Sequence, residues 1–225
     1  VTPADLVAAV RGSLVAAADP SLAPAQQAYM KSAMPFLGVR GPEVRRLTRA
    51  AVREVGVRDG GALLVASREL WDNATHREER YAASELLSLG ALKGDWSLVP
   101  HLEHIARTGA WWDHVDGVSR RVADLHDAHP EATAALVRTW SLDDDFWLRR
   151  LAIISQLGRG DRTDRDLLAE VIGPSLTDRE FFLRKAIGWS LRDLAKTDPD
   201  WVLAYVGAHE LSPLSRREAL KHIAG

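Results

Sequence analysis

The chain has 225 residues, no cysteine and a formal net charge of −2, which excludes disulfides, thiolate nucleophiles and zinc–sulfur sites. Apolar residues make up 46% and charged residues 27%, an ordinary balance for a folded globular chain. No apolar run approaches the roughly 18 residues that span a bilayer, and the first residues lack a basic segment followed by a greasy one, so the sequence predicts a cytoplasmic chain.

The first element opens at Thr2-Pro3-Ala4-Asp5, a capping-box pattern in which a hydroxyl and a carboxylate satisfy unpaired backbone N–H groups. Leu6, Val7, Val10, Leu14 and Val15 follow at the spacing of one apolar helix face. Pro42 opens the next clear helix, whose face is Val44, Leu47, Ala51 and Val55. That helix is strongly basic: Arg40, Arg45, Arg46, Arg49 and Arg53 are opposed only by Glu43. Thr75-His76-Arg77-Glu78 and Thr177-Asp178-Arg179-Glu180 read as further capping boxes, and Pro130, Pro199 and Pro213 as further helix starts. Leu151, Ile154 and Leu157 continue the helical spacing. Strand signals are weak, with no Asn-Gly hairpin turn and no sustained period-two alternation. About a dozen helices of roughly 10–18 residues result, as in stacked hairpins of HEAT or armadillo type, with a helical bundle as the alternative. No Pro/Gly-rich linker divides the chain, so residues 1–225 read as a single domain.

Three segments carry unusual residues. In Trp111-Trp112-Asp113-His114-Val115-Asp116 the adjacent tryptophans cannot share a helical face, and the two aspartates, three apart, can. The structural reading of those aspartates is a helix start, Asp113 as cap and Asp116 favoured by the dipole. Phe146-Trp147-Leu148-Arg149-Arg150 places two arginines in an apolar helix, where one of them needs a carboxylate or a phosphate. Phe181-Phe182-Leu183-Arg184-Lys185-Ala186-Ile187-Gly188-Trp189 buries a glycine in a helical pattern at a cost of about 1 kcal/mol against alanine, which implies a close approach. Basic residues recur at Arg184, Lys185, Arg192 and Lys196, then at Arg216, Arg217 and Lys221. They read either as a stripe along one face or as solvated helix faces with internal ion pairs. The eight histidines are scattered without an HExxH-type pair, so neither metal nor cofactor is expected.

Together WWDHVD (111–116), WLRRLAI (147–153), EFFLRKAIGWSLRDLAKTDPD (180–200) and PLSRREALKHI (213–223), with YMKSAMPFLGV (29–39) and RELWD (68–72), closely resemble the AlkD family of bacterial DNA alkylation repair glycosylases. The resemblance implies an all-α, HEAT-like superhelix whose concave basic face holds double-stranded DNA containing alkylated purines. It places the catalytic site on Trp112, Asp116, Arg150 and Trp189, with Arg149 as a second candidate for the arginine. Asp116 would stabilise the sugar cation and hold the attacking water, Trp112 and Trp189 would flank the deoxyribose, and Arg150 would bind a phosphate. Arg40, Arg45, Arg149, Arg184, Arg192 and Lys196 become candidate DNA contacts, with Arg216 and Arg217 behind them. The implied reaction is hydrolysis of the N-glycosidic bond of N3- or N7-alkylated purines without flipping the base into a pocket. No lysine stands out as an amine nucleophile, so the expectation is a monofunctional, monomeric enzyme at the nucleoid. The alternatives are a specialist for bulky N3-adenine adducts, protecting a producer from its own genotoxin, and a non-catalytic helical-repeat module.

Overall fold

The computed structural model describes residues 2–223. Thirteen α-helices and four short 3₁₀ turns account for the regular structure of the described residues, with no strand among them. The all-α, helical-repeat expectation holds: each helix packs mainly on helices close to it in the chain. Two compact units emerge, one ending at Lys93 and one beginning at Gly94. No helix of the described residues is long and apolar enough to cross a membrane.

The first unit holds α1 (Pro3–Ala16), α2 (Ala23–Met30), α3 (Gly41–Val55), α4 (Gly60–Asp72) and α5 (Arg77–Leu86). The capping box at Thr2 forms as expected, Thr2 and Asp5 exchanging backbone and side-chain hydrogen bonds. Leu6, Val7, Val10 and Leu14 are buried where α1 packs on α3, α4 and α5, whereas Val15 points to solvent. The second box is displaced by one residue. Glu79, not Glu78, turns back on the helix start, accepting from the backbone N–H groups of Thr75 and His76 and from the Thr75 hydroxyl. Glu78 is fully buried and accepts the backbone N–H groups of Leu37, Gly38 and Val39, tying the α2–α3 connection down. Gly38, at φ +91°, belongs there, because a Cβ would lie 1.9 Å from the Asp19 carbonyl oxygen.

The second unit contains α6 (Val99–Gly109), α7 (Trp112–Ala128), α8 (Pro130–Ser141), α9 (Phe146–Ile153), α10 (Arg165–Ile172), α11 (Phe181–Leu194), α12 (Pro199–Ala208) and α13 (Pro213–Ala219). Proline opens α8, α12 and α13 as expected. The expected box at Thr177 does not form. Glu180 caps α11 through the Phe182 N–H, and Asp178 accepts the Glu180 N–H instead. Helix α9 ends at Ile153, so Ile154 is buried in the following turn rather than on the helix.

Helix α7 packs on α6, α8 and α9, and α9 in turn packs on α11. Buried in α7 is His126, whose ring Nε2 lies 3.2 Å from the Ser155 hydroxyl. Burial, and then the nearby Arg159 cation, pulls its pKa from 6.5 down to about 4. The folded state therefore holds it neutral, while the unfolded chain takes up a proton as pH falls through 6.5. Its contribution to stability is complete above pH 6.5 and is lost between there and pH 4. Urea unfolding at pH 7.5 and pH 5 is expected to show the wild type losing about 2 kcal/mol more than His126→Gln. Equal losses in the two proteins would overturn that assignment.

Candidate active site

The Trp-Trp pair separates as the helical geometry requires. Trp111 is the extended residue before α7, and its ring packs on Trp147 of α9 and Phe182 of α11 at centroid distances of 6.1 and 5.4 Å. Trp147 and Phe182 touch each other at 4.8 Å. These three rings tie together the ends of α7, α9 and α11. Trp112 then starts α7 and faces a cleft of about 280 Å³. Asp116 on α7, Arg150 on α9, and Phe181, Phe182 and Trp189 on α11 line the same cleft.

All four catalytic candidates therefore meet in one place. Between them runs a bidentate pair: Arg150 Nε donates to Asp116 Oδ1 and Nη2 to Oδ2, both at 2.8 Å. Nη1 donates to the Phe182 carbonyl oxygen at 2.5 Å. The Arg150 side chain is 5% exposed and that of Asp116 16%. A planar fork on a carboxylate fixes both oxygens of Asp116, which lysine could not do.

Arg150, expected to contact a phosphate, also holds the Asp116 carboxylate, with three of its five N–H donors spent on Asp116 and the α11 backbone. Arg149, the second candidate, points away and pairs with Asp178 at 3.0 Å. Asp116 is not a dipole-stabilised start residue either, since its carboxylate reaches across to α9. Asp113 does not cap α7, a position held by Trp111. Burial raises the pKa of Asp116 above the ordinary 3.8; the Arg150 hydrogen bonds and charge oppose the rise, and Asp113 adds to it.

Backbone packing fixes these positions. Ser190, beside Trp189, donates its hydroxyl to the Ile153 carbonyl at the end of α9 at 2.8 Å, locking α11 to α9. Gly188 provides the close approach anticipated for it. A Cβ there would lie 2.5 Å from Glu218 Cβ and 2.9 Å from the Ser215 carbonyl oxygen of α13. Helix against helix, rather than ligand, accounts for that glycine.

A family model for DNA alkylation repair enzymes matches residues 10–223. The chain belongs to this family. Among solved structures, one described as a predicted DNA alkylation repair enzyme from Enterococcus faecalis is 30% identical, with a TM-score of 0.75. The match covers 92% of this chain and 97% of that one. No curated protein sequence matches the chain.

Against the background of a DNA alkylation repair enzyme, the basic residues divide. Arg40 and Arg45 are exposed around α3 of the first unit, with no carboxylate within 4 Å among the described residues. Their neighbours behave as internal ion pairs, Arg46 with Glu43 at 2.6 Å and Arg49 with Glu85 at 2.5 Å. In the second unit Arg184 donates to the Asp178 carbonyl oxygen, Lys196 pairs with Asp193 at 2.7 Å, and Arg192 pairs with Glu218 at 2.6 Å. Arg216 donates to the Val206 carbonyl oxygen. Four cleft residues were not assigned from sequence: Phe181, Phe182, Lys185 and Glu218. The first three sit in a segment the sequence already marked as unusual. Glu218 lies in the PLSRREALKHI stretch, but nothing there marked it as a cleft residue, because its place depends on how α13 docks.

Proposed function

We propose that this DNA alkylation repair enzyme is a monofunctional glycosylase that hydrolyses the N-glycosidic bond of N3- or N7-alkylated purines in duplex DNA. The observation that supports it most is the Asp116 carboxylate, held by both oxygens in a cleft walled by Trp112 and Trp189. Alkylation at N3 or N7 makes the base cationic and a good leaving group, so little acid catalysis is needed. As the C1′–N bond breaks, its electron pair neutralises the base and the deoxyribose becomes oxocarbenium-like. A fixed anion beside C1′ stabilises that charge more than one that must reorganise. The indole faces add roughly 0.5–2 kcal/mol each towards the same cation. Water then attacks C1′ and gives its proton to the carboxylate, leaving an abasic site. Arg150 acts on the reaction through Asp116, as the residue that orients it.

Selection would rest on the lesion's own lability, with the sugar held and the base left outside a dedicated pocket. The test is release of free base from duplexes carrying N7-methylguanine, N3-methyladenine or a bulky N3-adenine adduct. Release of the methylated bases is expected; release of the bulky adduct alone would make the protein a specialist, and tight binding with no release would make it a binding module.

A pH dependence follows. Catalysis needs Asp116 ionised, and burial places its protonation above 3.8. Single-turnover release is therefore expected to fall about tenfold per pH unit on an acidic limb that begins above the range of an exposed aspartate. A rate with no acidic limb above the range of an exposed aspartate would overturn the raised protonation of Asp116.

A further inference from the structure

Besides the Asp116–Arg150 pair, two cations line the cleft: Lys185 and Arg192 of α11. They lie seven residues apart on the same helix, two turns along one face. Both converge on one carboxylate, Glu218 of α13, with Lys185 Nζ 3.1 Å from Oε1 and Arg192 Nη1 2.6 Å from Oε2. Glu218 is only 13% exposed, whereas Lys185 is 38% and Arg192 22% exposed. The two cations hold the Glu218 carboxyl below its usual range, even against burial. It stays ionised and cannot serve as a general acid.

We infer that Lys185 and Arg192 form a phosphodiester site at the cleft, aligned by Glu218, that takes the phosphate flanking the lesion. This rests on the glycosylase reading for what the phosphate flanks, but not for the binding itself. Two positive charges on one carboxylate leave a net charge of +1 beside the opening, the sign a phosphate requires. A lysine contributes a point charge on a flexible stem, so a fixed partner is what gives it a defined position. Glu218 supplies that partner from both sides, and its own backbone is set by the contact of α13 with Gly188. Glu218 is accordingly a positioning residue, and Lys185 and Arg192 are the binding residues.

Duplex affinity measured by anisotropy from 50 to 200 mM salt tests the site with unmodified DNA. Lys185→Gln is expected to weaken binding about three- to tenfold and to lower the salt slope by about one phosphate. Duplexes with one neutral methylphosphonate at each position around the lesion then locate the phosphate, since the correct position abolishes the difference between Lys185→Gln and wild type. Glu218→Gln keeps both cations and should keep the slope, but that position should no longer stand out. A Glu218 that is merely structural would lower the melting temperature and leave the methylphosphonate pattern intact, which would overturn its positioning role. An unchanged slope in Lys185→Gln would overturn the site while leaving base release standing. A changed slope in a protein that releases no base would instead sink the glycosylase reading and keep the site.

Discussion

Asp116→Asn is expected to lower single-turnover base release by about 10²–10³-fold or more while duplex binding is retained. Two effects act together. The amide carries no full charge to set against the developing sugar cation, and it cannot accept a proton from the attacking water. It also meets Arg150 badly. The guanidinium presents Nε–H and Nη2–H to two acceptors 2.8 Å away, and asparagine offers one acceptor and one donor. Arg150, 5% exposed, then remains partly unpaired in a place where an uncompensated charge costs up to about 3–5 kcal/mol. The variant should therefore melt lower as well as react slower. Assays belong at a temperature where circular dichroism shows it folded. Loss of release with anisotropy unchanged would assign the chemistry to Asp116. Release equal to wild type would leave the activity in place and remove the carboxylate from it.

Gly188→Ala is the substitution expected to cost the most stability for the fewest atoms. Inside α11 alanine would ordinarily gain about 1 kcal/mol over glycine. Here its Cβ would come within 2.5 Å of Glu218 Cβ and 2.9 Å of the Ser215 carbonyl oxygen. Neither is the far end of a flexible side chain, so α13 has to move away from α11. The Ser215 hydroxyl, which donates to the Arg184 carbonyl oxygen at 2.9 Å, moves with it. Overpacking of this kind costs about 1–3 kcal/mol and occasionally more. The expected net loss is up to about 2 kcal/mol, a fall of up to roughly 4–8 °C in melting temperature at this chain length. Duplex binding should weaken too, because Glu218 aligns Lys185 and Arg192. A melting temperature equal to or above that of wild type would show that the α11–α13 contact yields freely.

Helix α9 shows where sequence and tertiary structure part company. Its period predicted a helix with one arginine out and one in need of a partner; in the structure both meet carboxylates, Arg149 with Asp178 and Arg150 with Asp116. Spacing along the chain decides which faces a helix presents, because side-chain direction follows from 3.6 residues per turn. The same rule separated Trp111 from Trp112, and a missing N–H made Pro130, Pro199 and Pro213 helix starts. The family was legible for a related reason: its motifs are short contiguous stretches, several of them within or at the start of one helix, so their spacing survives in a linear string.

Partnership across helices was not legible. That Arg150 meets Asp116 depends on the packing of α9 against α7, two elements whose contact no local pattern encodes. The displaced box at Glu79 has the same origin, since Glu78 was already committed to backbone N–H groups about 40 positions away. Part of the basic stripe proved to be paired for this reason as well, as with Arg49 and Glu85 or Arg192 and Glu218. By itself the sequence determined the all-helical architecture, the family and the four residues that meet in the cleft. Only the tertiary structure decided which charges are held, by what, and which face the opening. Charge pairing falls off with distance in space rather than along the chain, and only folding sets those distances.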